Sequence, residues 1–339
     1  KADQILPSSV AIAGVATLME VLESRRRHEL RTNRLSGMEV RPTVIAQFHE
    51  HGVRSGTLRD DRPQRELMEA TSEIGAYQGM RVERARGSVI NLCSPEIIVR
   101  VMGPVDVVDA DRNVIDFHRS KSVELLAWIT SHRASSRRSI ARAAMWDAGV
   151  QDATFNNVVS EARRALTAVS TSETVWISRT YDDNLQLSER VLSDAEILAS
   201  ALRNHSAQPS DLTITALREA LGQVRGLPFS GTSYLWPDTE GITTNIVIQI
   251  LDAAVIVAEH ALELNDLTEV FWATGQGLQV VQGHEGLVAI RMRAHAANRS
   301  MAGVESEWRS YLRAVAVDSW SGGQPNPELA ELRKSLSYA

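Results

Sequence analysis

Thr154-Phe155-Asn156-Asn157-Val158-Val159-Ser160-Glu161-Ala162-Arg163-Arg164-Ala165-Leu166 is the stretch from which the rest of the chain is best read. Phe155, Val158, Val159, Ala162 and Leu166 recur at three- and four-residue spacing, which predicts a helix over about 153–169 with one apolar stripe toward a core. Asn156, Asn157, Ser160, Arg163, Arg164 and Thr167 are left on the opposite face. Asparagine pairs with adenine at two points in a major groove, and arginine does the same with guanine or clamps a phosphate. Glu161 is expected on this groove-facing side, where phosphates repel a carboxylate, so Glu161→Arg is expected to raise affinity.

Working upstream, helical periodicity predicts helices over 122–131 and 136–146. The second opens with Ser136-Arg137-Arg138, placed to meet phosphate from its first turn. From Arg119 to Arg142 six basic residues (Arg119, Lys121, Arg133, Arg137, Arg138, Arg142) stand against one acid, Glu124. Further upstream, period-two stretches at Ile97–Met102, Val105–Val108 and Val114–Phe117, broken by Gly103-Pro104 and by Asp109 to Asn113, predict an antiparallel meander. Downstream, Thr174–Ser178 and Leu185–Leu187 flank Asp182-Asp183-Asn184 and read as a hairpin, with Arg179 expected near the phosphate backbone. Strands, three helices and a hairpin in this order give a winged helix-turn-helix with an N-terminal β-meander over 96–190.

Beyond it the chain reads as helical. Ser193-Asp-Ala-Glu196 is a capping-box start, and helices are predicted at about 211–224, 238–264, 266–277, 282–297, 301–317 and 326–337, with joints at Asn265-Asp266, Gly275, Gly283 and Gly303. Residues 191–339 are therefore expected to form an all-α, tetratricopeptide-like helical-hairpin domain, and the whole fold is mainly α. Ile246, Ile248, Ile250, Leu251, Ala254, Val255, Val257 and Ala258 make the 238–264 helix apolar on more than one face. That suggests neighbouring helices plus a second copy, so a homodimer is expected, with 191–339 folding without the preceding domain.

The 339 residues carry 36 basic and 42 acidic side chains, a net charge of −6, which excludes a protein that coats nucleic acid by bulk charge. The charge is uneven: +2 over residues 1–93, −1 over 94–190 and −7 over 191–339, so the helical domain should repel DNA and offer its surface to a protein or peptide. The single cysteine, Cys93, rules out an internal disulfide framework and points to a reducing, cytoplasmic setting. Residues 1–36 hold an apolar helix from Val10 followed by Arg25, Arg26, Arg27, Arg31 and Arg34. This reads either as an amphipathic helix docked on the domain behind it or as a tether to the inner face of the membrane. The chain opens at Lys1 without an initiator methionine, and a part upstream is expected. Residues 37–95 read as a small helical and linker region; its His49 and His51 lack a third ligand nearby.

No Gly-x-Ser-x-Gly elbow, His-Glu-x-x-His, phosphate loop or cysteine pair occurs, and Gly275-Gln-Gly277 lacks the strand and third glycine of a nucleotide fingerprint. The chain is expected to be no enzyme and to need no cofactor or metal. The residues expected to meet double-stranded DNA are Ser136, Arg137, Arg138, Asn156, Asn157, Ser160, Arg163, Arg164 and Arg179.

Three stretches together resemble the SARP-type bacterial transcriptional activator domain (BTAD) family of actinobacteria, and most closely its membrane-linked LysM-containing members. They are Val99-Arg-Val-Met-Gly-Pro-Val-Asp-Val107; Ser122-Val-Glu-Leu-Leu-Ala-Trp128 through Ala143-Ala-Met-Trp146 to the 154–166 helix; and Val224-Arg-Gly-Leu-Pro-Phe229 followed by Tyr234-Leu-Trp-Pro-Asp-Thr-Glu-Gly241. The resemblance covers about residues 96–339 and implies a DNA-binding winged helix followed by a helical domain that dimerises or receives signals. Glu161 and Ala162 depart from the family's usual basic residue and leucine at those places. Two readings stay open: a DNA-binding transcriptional regulator, or a non-enzymatic, membrane-proximal adaptor that reuses the regulator fold without specific DNA binding.

Overall fold

The computed structural model describes residues 95–146, 149–169, 174–179, 182–317 and 324–338. The apolar helix and arginine cluster expected in 1–36, and all of the 37–95 region but its last residue, including His49, His51 and Cys93, lie outside the described residues.

Strand β1 (Ile97–Arg100) pairs antiparallel with β2 (Asp106–Asp109), with Ile98 opposite Val108. Gly103 in the turn between them has φ +147°, and a Cβ there would lie 2.8 Å from that of Arg225, so only glycine fits. The strand expected over 114–117 is reduced to one bridge, Val114 to Val108. Ile115 N–H still donates to Val107 O at 2.8 Å, after which the chain leaves the sheet for the next helix. The third strand is instead β3 (Val191–Ser193), parallel to β1 on its other edge.

Helices α1 (Ser120–Ser131), α2 (Arg138–Met145) and α3 (Asp152–Ala168) follow the predicted positions closely. Among its described residues the hairpin after α3 carries a single bridge, Ile177 to Leu187, framed by Ser178 N–H to Gln186 O at 2.9 Å and Ser188 N–H to Trp176 O at 2.8 Å. Behind this wing come α4 (Asp194–Ala207), α5 (Asp211–Leu221), the short α6 (Trp236–Thr239), α7 (Ile242–Glu263), α8 (Leu267–Leu278), α9 (Glu285–Ala297), α10 (Met301–Val317) and α11 (Pro327–Tyr338). Ser193 and Glu196 form the expected capping box. Gly275 and Gly303, read as joints, lie inside α8 and α10. Gly277 lies in α8 too, where a Cβ would come 2.4 Å from Leu287 Cδ1 and 3.1 Å from Ala254 Cβ, so its absence lets three helices approach.

Helix α7 is long and apolar enough to cross a membrane, with a mean hydropathy of 1.6. Its Ile246, Val247, Ile250, Ala253, Ala254, Val257 and Ala258 are buried, and it packs on α4, α5, α6, α8 and α9. Those neighbours cover one side of the helix fully, while Ile248, Leu251, Val255 and Ile256 are only half-buried.

One hydrophobic core runs from Ile97 to Ala294, joining the winged-helix elements to α4–α9, while Val288, Met292, Val304, Trp308, Tyr311, Val315 and Leu329 make a second, smaller core under α9–α11. Polar ties cross the same boundary. The buried Asp194 carboxylate accepts from Val101 N–H at 2.8 Å, Met102 N–H at 3.1 Å and Ala195 N–H at 2.9 Å. Arg133 donates to Val191 O at 2.6 Å and to Glu196 at 2.7 Å. His132 stacks on Trp128, meets the edge of Trp236 and contacts Glu240 at 2.5 Å.

Burial pushes the Asp194 carboxyl up to about 6, against the opposing pull of its backbone donors and Arg225. Its ordinary value is 3.8, so between about pH 4 and 6 the folded state holds a proton that the unfolded state has released. The sign follows: this residue's contribution to stability falls as pH rises through that window and is then constant, for a total on the order of 3 kcal/mol. Urea denaturation of the wild type and Asp194→Asn at pH 5 and pH 7 checks it. The wild type should gain on the variant at the lower pH; a constant difference would show that Asp194 does not titrate there.

Candidate nucleic-acid interface

Helix α3 buries Phe155, Val158, Val159, Ala162 and Leu166 as its stripe requires, and it also buries Glu161, which is 4% exposed. Glu161 accepts from Arg119 N–H at 2.9 Å and from Ser122 Oγ at 2.5 Å. Arg119 is the N-cap of α1 and supplies no side-chain cap; Glu161 takes the Arg119 N–H, the bond that the acid of a capping box makes, and holds the Ser122 hydroxyl of the first turn. The expectation that Glu161 faces a groove is thereby corrected. Its position, three residues after Val158 and four before Ala165, puts it on the edge of the apolar stripe rather than opposite it.

A second acid does the same for α2. Asp183, in the hairpin turn, accepts from Ser139 Oγ at 2.5 Å and Ser139 N–H at 2.9 Å, and these two bonds hold its carboxyl below the usual range. Arg138 N–H donates to Asp183 O at 2.7 Å. Ser136 Oγ donates to Leu185 O at 2.7 Å, and Leu185 N–H returns to Ser136 O at 2.9 Å. The first turn of α2, expected to receive phosphate, is therefore filled by the wing, and the Ser136 side chain serves that contact. Nothing in the Asp182-Asp183-Asn184 letters beyond turn propensity signalled this.

The predicted arginines divide into held and free. Arg163 donates from Nε to Ile177 O at 2.9 Å and from Nη2 to Ser178 O at 2.6 Å. Its pKa is lowered by burial first, then by repulsion from Arg179 and Arg138. Arg138 bonds Asn156 Oδ1 and lies 5.2 Å over the Phe155 ring. Arg142 is tied to Asp152 and to Val150 O. Arg137, Asn157, Ser160, Arg164 and Arg179 have exposed side chains.

The outer face of α3 from Asn156 to Thr167 thus carries asparagine, serine, arginine and threonine and no carboxylate. Arg138 adjoins it at Asn156, and Arg179 lies close enough to Arg163 to repel its charge. A groove of about 630 Å³ lined by Arg163, Thr167, Val175, Trp176, Ser178 and Arg179 separates the end of α3 from the wing. A smaller cleft of about 320 Å³ lies between Arg138, Arg142, Asp152, Asn156 and Asp183. Among the described residues no group of three histidine, cysteine or acidic side chains is placed to hold a metal ion.

No model of a known protein family matches the chain, and no curated protein matches it. Among solved structures, that of Mycobacterium tuberculosis EmbR in complex with a low-affinity phosphopeptide is similar, with a TM-score of 0.52 and 17% sequence identity. The match covers 72% of this chain and 65% of EmbR. At that identity the likeness bears on architecture alone, and it shows that this mainly helical chain with its small sheet shares the EmbR fold.

Proposed function

We propose that this protein is a DNA-binding transcriptional regulator of the SARP type, with α3 as the helix that enters the major groove and the helical domain as the receiver of a protein or peptide partner. The observation that carries the reading is the inward turn of Glu161. It leaves a recognition face of Asn157, Ser160 and Arg164 free of negative charge and bordered by basic side chains. The shared EmbR fold and the three family-like stretches support the same reading. The net charge of −7 on residues 191–339 keeps that half off the duplex.

Selection of bound fragments from a random DNA pool by the full chain tests it, with enrichment of one motif expected. Within that motif Asn157→Ala should cost about 1–3 kcal/mol at one base position. Arg179→Ala should weaken binding to every sequence and reduce the salt slope by about one. Equal losses from both variants on specific and random DNA would show that α3 reads no bases.

The adaptor reading draws on one observation, the Asp183 carboxylate at the start of α2, where an anion would otherwise bind. A pool that yields no enriched sequence, with retention in pull-downs on anionic vesicles, would favour it.

A further inference from the structure

Resting on the DNA-binding reading, we infer that Arg163 is a positioning residue, which fixes the first strand of the wing against α3 and makes no contact with nucleic acid. The two strands of the wing are held by different helices. The second strand is tied to α2, through Ser136 to Leu185 and through Asp183 to Ser139. Among the described residues the first strand has one cross-strand bridge, at Ile177, and the geometry of that bridge turns the Ile177 carbonyl away from Leu187. Arg163 fills the vacant edge. Its guanidinium donates to two successive carbonyls, Ile177 at 2.9 Å and Ser178 at 2.6 Å, whereas a further strand would meet only every second residue on that edge. Arg179 follows directly and carries its charge from that same strand, so the place of Arg179 relative to α3 depends on Arg163.

The guanidinium is bound there at a cost. Burial and the repulsion of Arg179 and Arg138 both work against its charge. A fork of planar donors bridges two carbonyls in a way that the point charge of lysine does not. Charge and geometry can therefore be separated by substitution.

The experiment compares wild type, Arg163→Lys, Arg163→Gln, Arg179→Ala and the Arg163→Gln/Arg179→Ala double variant in the full chain. Amide hydrogen exchange at Ser178 and Ser188 is read without DNA, and affinity is read across a salt series on the selected sequence. Exchange at both amides should quicken by about tenfold or more in both Arg163 variants. Lysine and glutamine should weaken DNA binding alike, by about tenfold, and each should lower the salt slope by about one, because the phosphate contact of Arg179 goes with the wing. The double variant should bind no worse than Arg163→Gln, because a misplaced Arg179 has little left to lose. Unchanged exchange overturns the proposal. So do near-normal affinity and an unchanged slope in the lysine variant beside a weakened glutamine variant, since charge without the fork then suffices, as at a direct phosphate contact. If the wild type binds no DNA, the regulator reading fails, and the exchange data alone then decide whether Arg163 holds the wing.

Discussion

Glu161→Arg should unfold the winged domain rather than improve its grip on DNA. The carboxylate is buried, and its neighbours are donors: the Arg119 N–H at 2.9 Å and the Ser122 hydroxyl at 2.5 Å. A guanidinium there brings more donors to donors, adds volume to a filled site beside Val158 and Ala162, and leaves the Arg119 N–H without its acceptor. Removing one partner of a buried charged network typically costs about 3–5 kcal/mol, and the arginine adds an unpaired charge of its own. That is a large share of the roughly 5–15 kcal/mol that holds a domain together. Glutamine, which keeps one acceptor and the shape, should cost only about 1–2 kcal/mol. Urea unfolding of the three proteins measures both. An arginine variant as stable as the wild type, with a steeper salt dependence of DNA binding, would place residue 161 on the outer face after all.

The same residue shows what the letters can and cannot carry. The phase of α3 is legible because five apolar side chains repeat at helical spacing, and so are the starts and ends of most helices behind it. Glu161 is harder, since its position on the stripe edge admits either environment. What settles it is a donor pair from α1, some forty residues earlier in the chain. Asp183 is the same case, a turn residue by its letters and a cap for α2 in space. Of the nine residues expected at a duplex, Asn157, Ser160, Arg164, Arg137 and Arg179 are exposed, whereas Ser136, Arg138, Asn156 and Arg163 are engaged with the wing or with each other. Intrinsic donor capacity is visible in sequence; whether a neighbour has already used it is not. The three-residue β3 was illegible for a related reason. A short parallel strand has no period to read, and its partner lies more than ninety residues away.

Residues 191–339 produced alone should fail to fold cooperatively, contrary to what their helical periodicity suggests. The fragment begins with β3, whose partner β1 would be missing, and Val191 would lose its place in the sheet. Asp194 would lose the Val101 and Met102 N–H groups, and the loop at Arg225 and Phe229 would lose its bonds to Met102 O at 2.7 Å and Val101 O at 2.9 Å. Trp236 would lose the His132 ring packed 5.7 Å away. Val191, Leu198, Phe229 and Trp236 belong to the one core that includes Val99, Met102, Leu125 and Trp128. Baring side chains of this size costs about 1.5–3 kcal/mol each, so a few of them offset the net stability of an ordinary domain. Helices α9–α11, with their separate small core, are the part that should retain structure. Far-UV circular dichroism during heating distinguishes the cases: a broad, shallow loss of helix is expected from the fragment, against a sharp transition from the full chain. A sharp transition in the fragment near that of the full chain would mean that the helical domain stands on its own, and that the shared core is a docking surface rather than a requirement for folding.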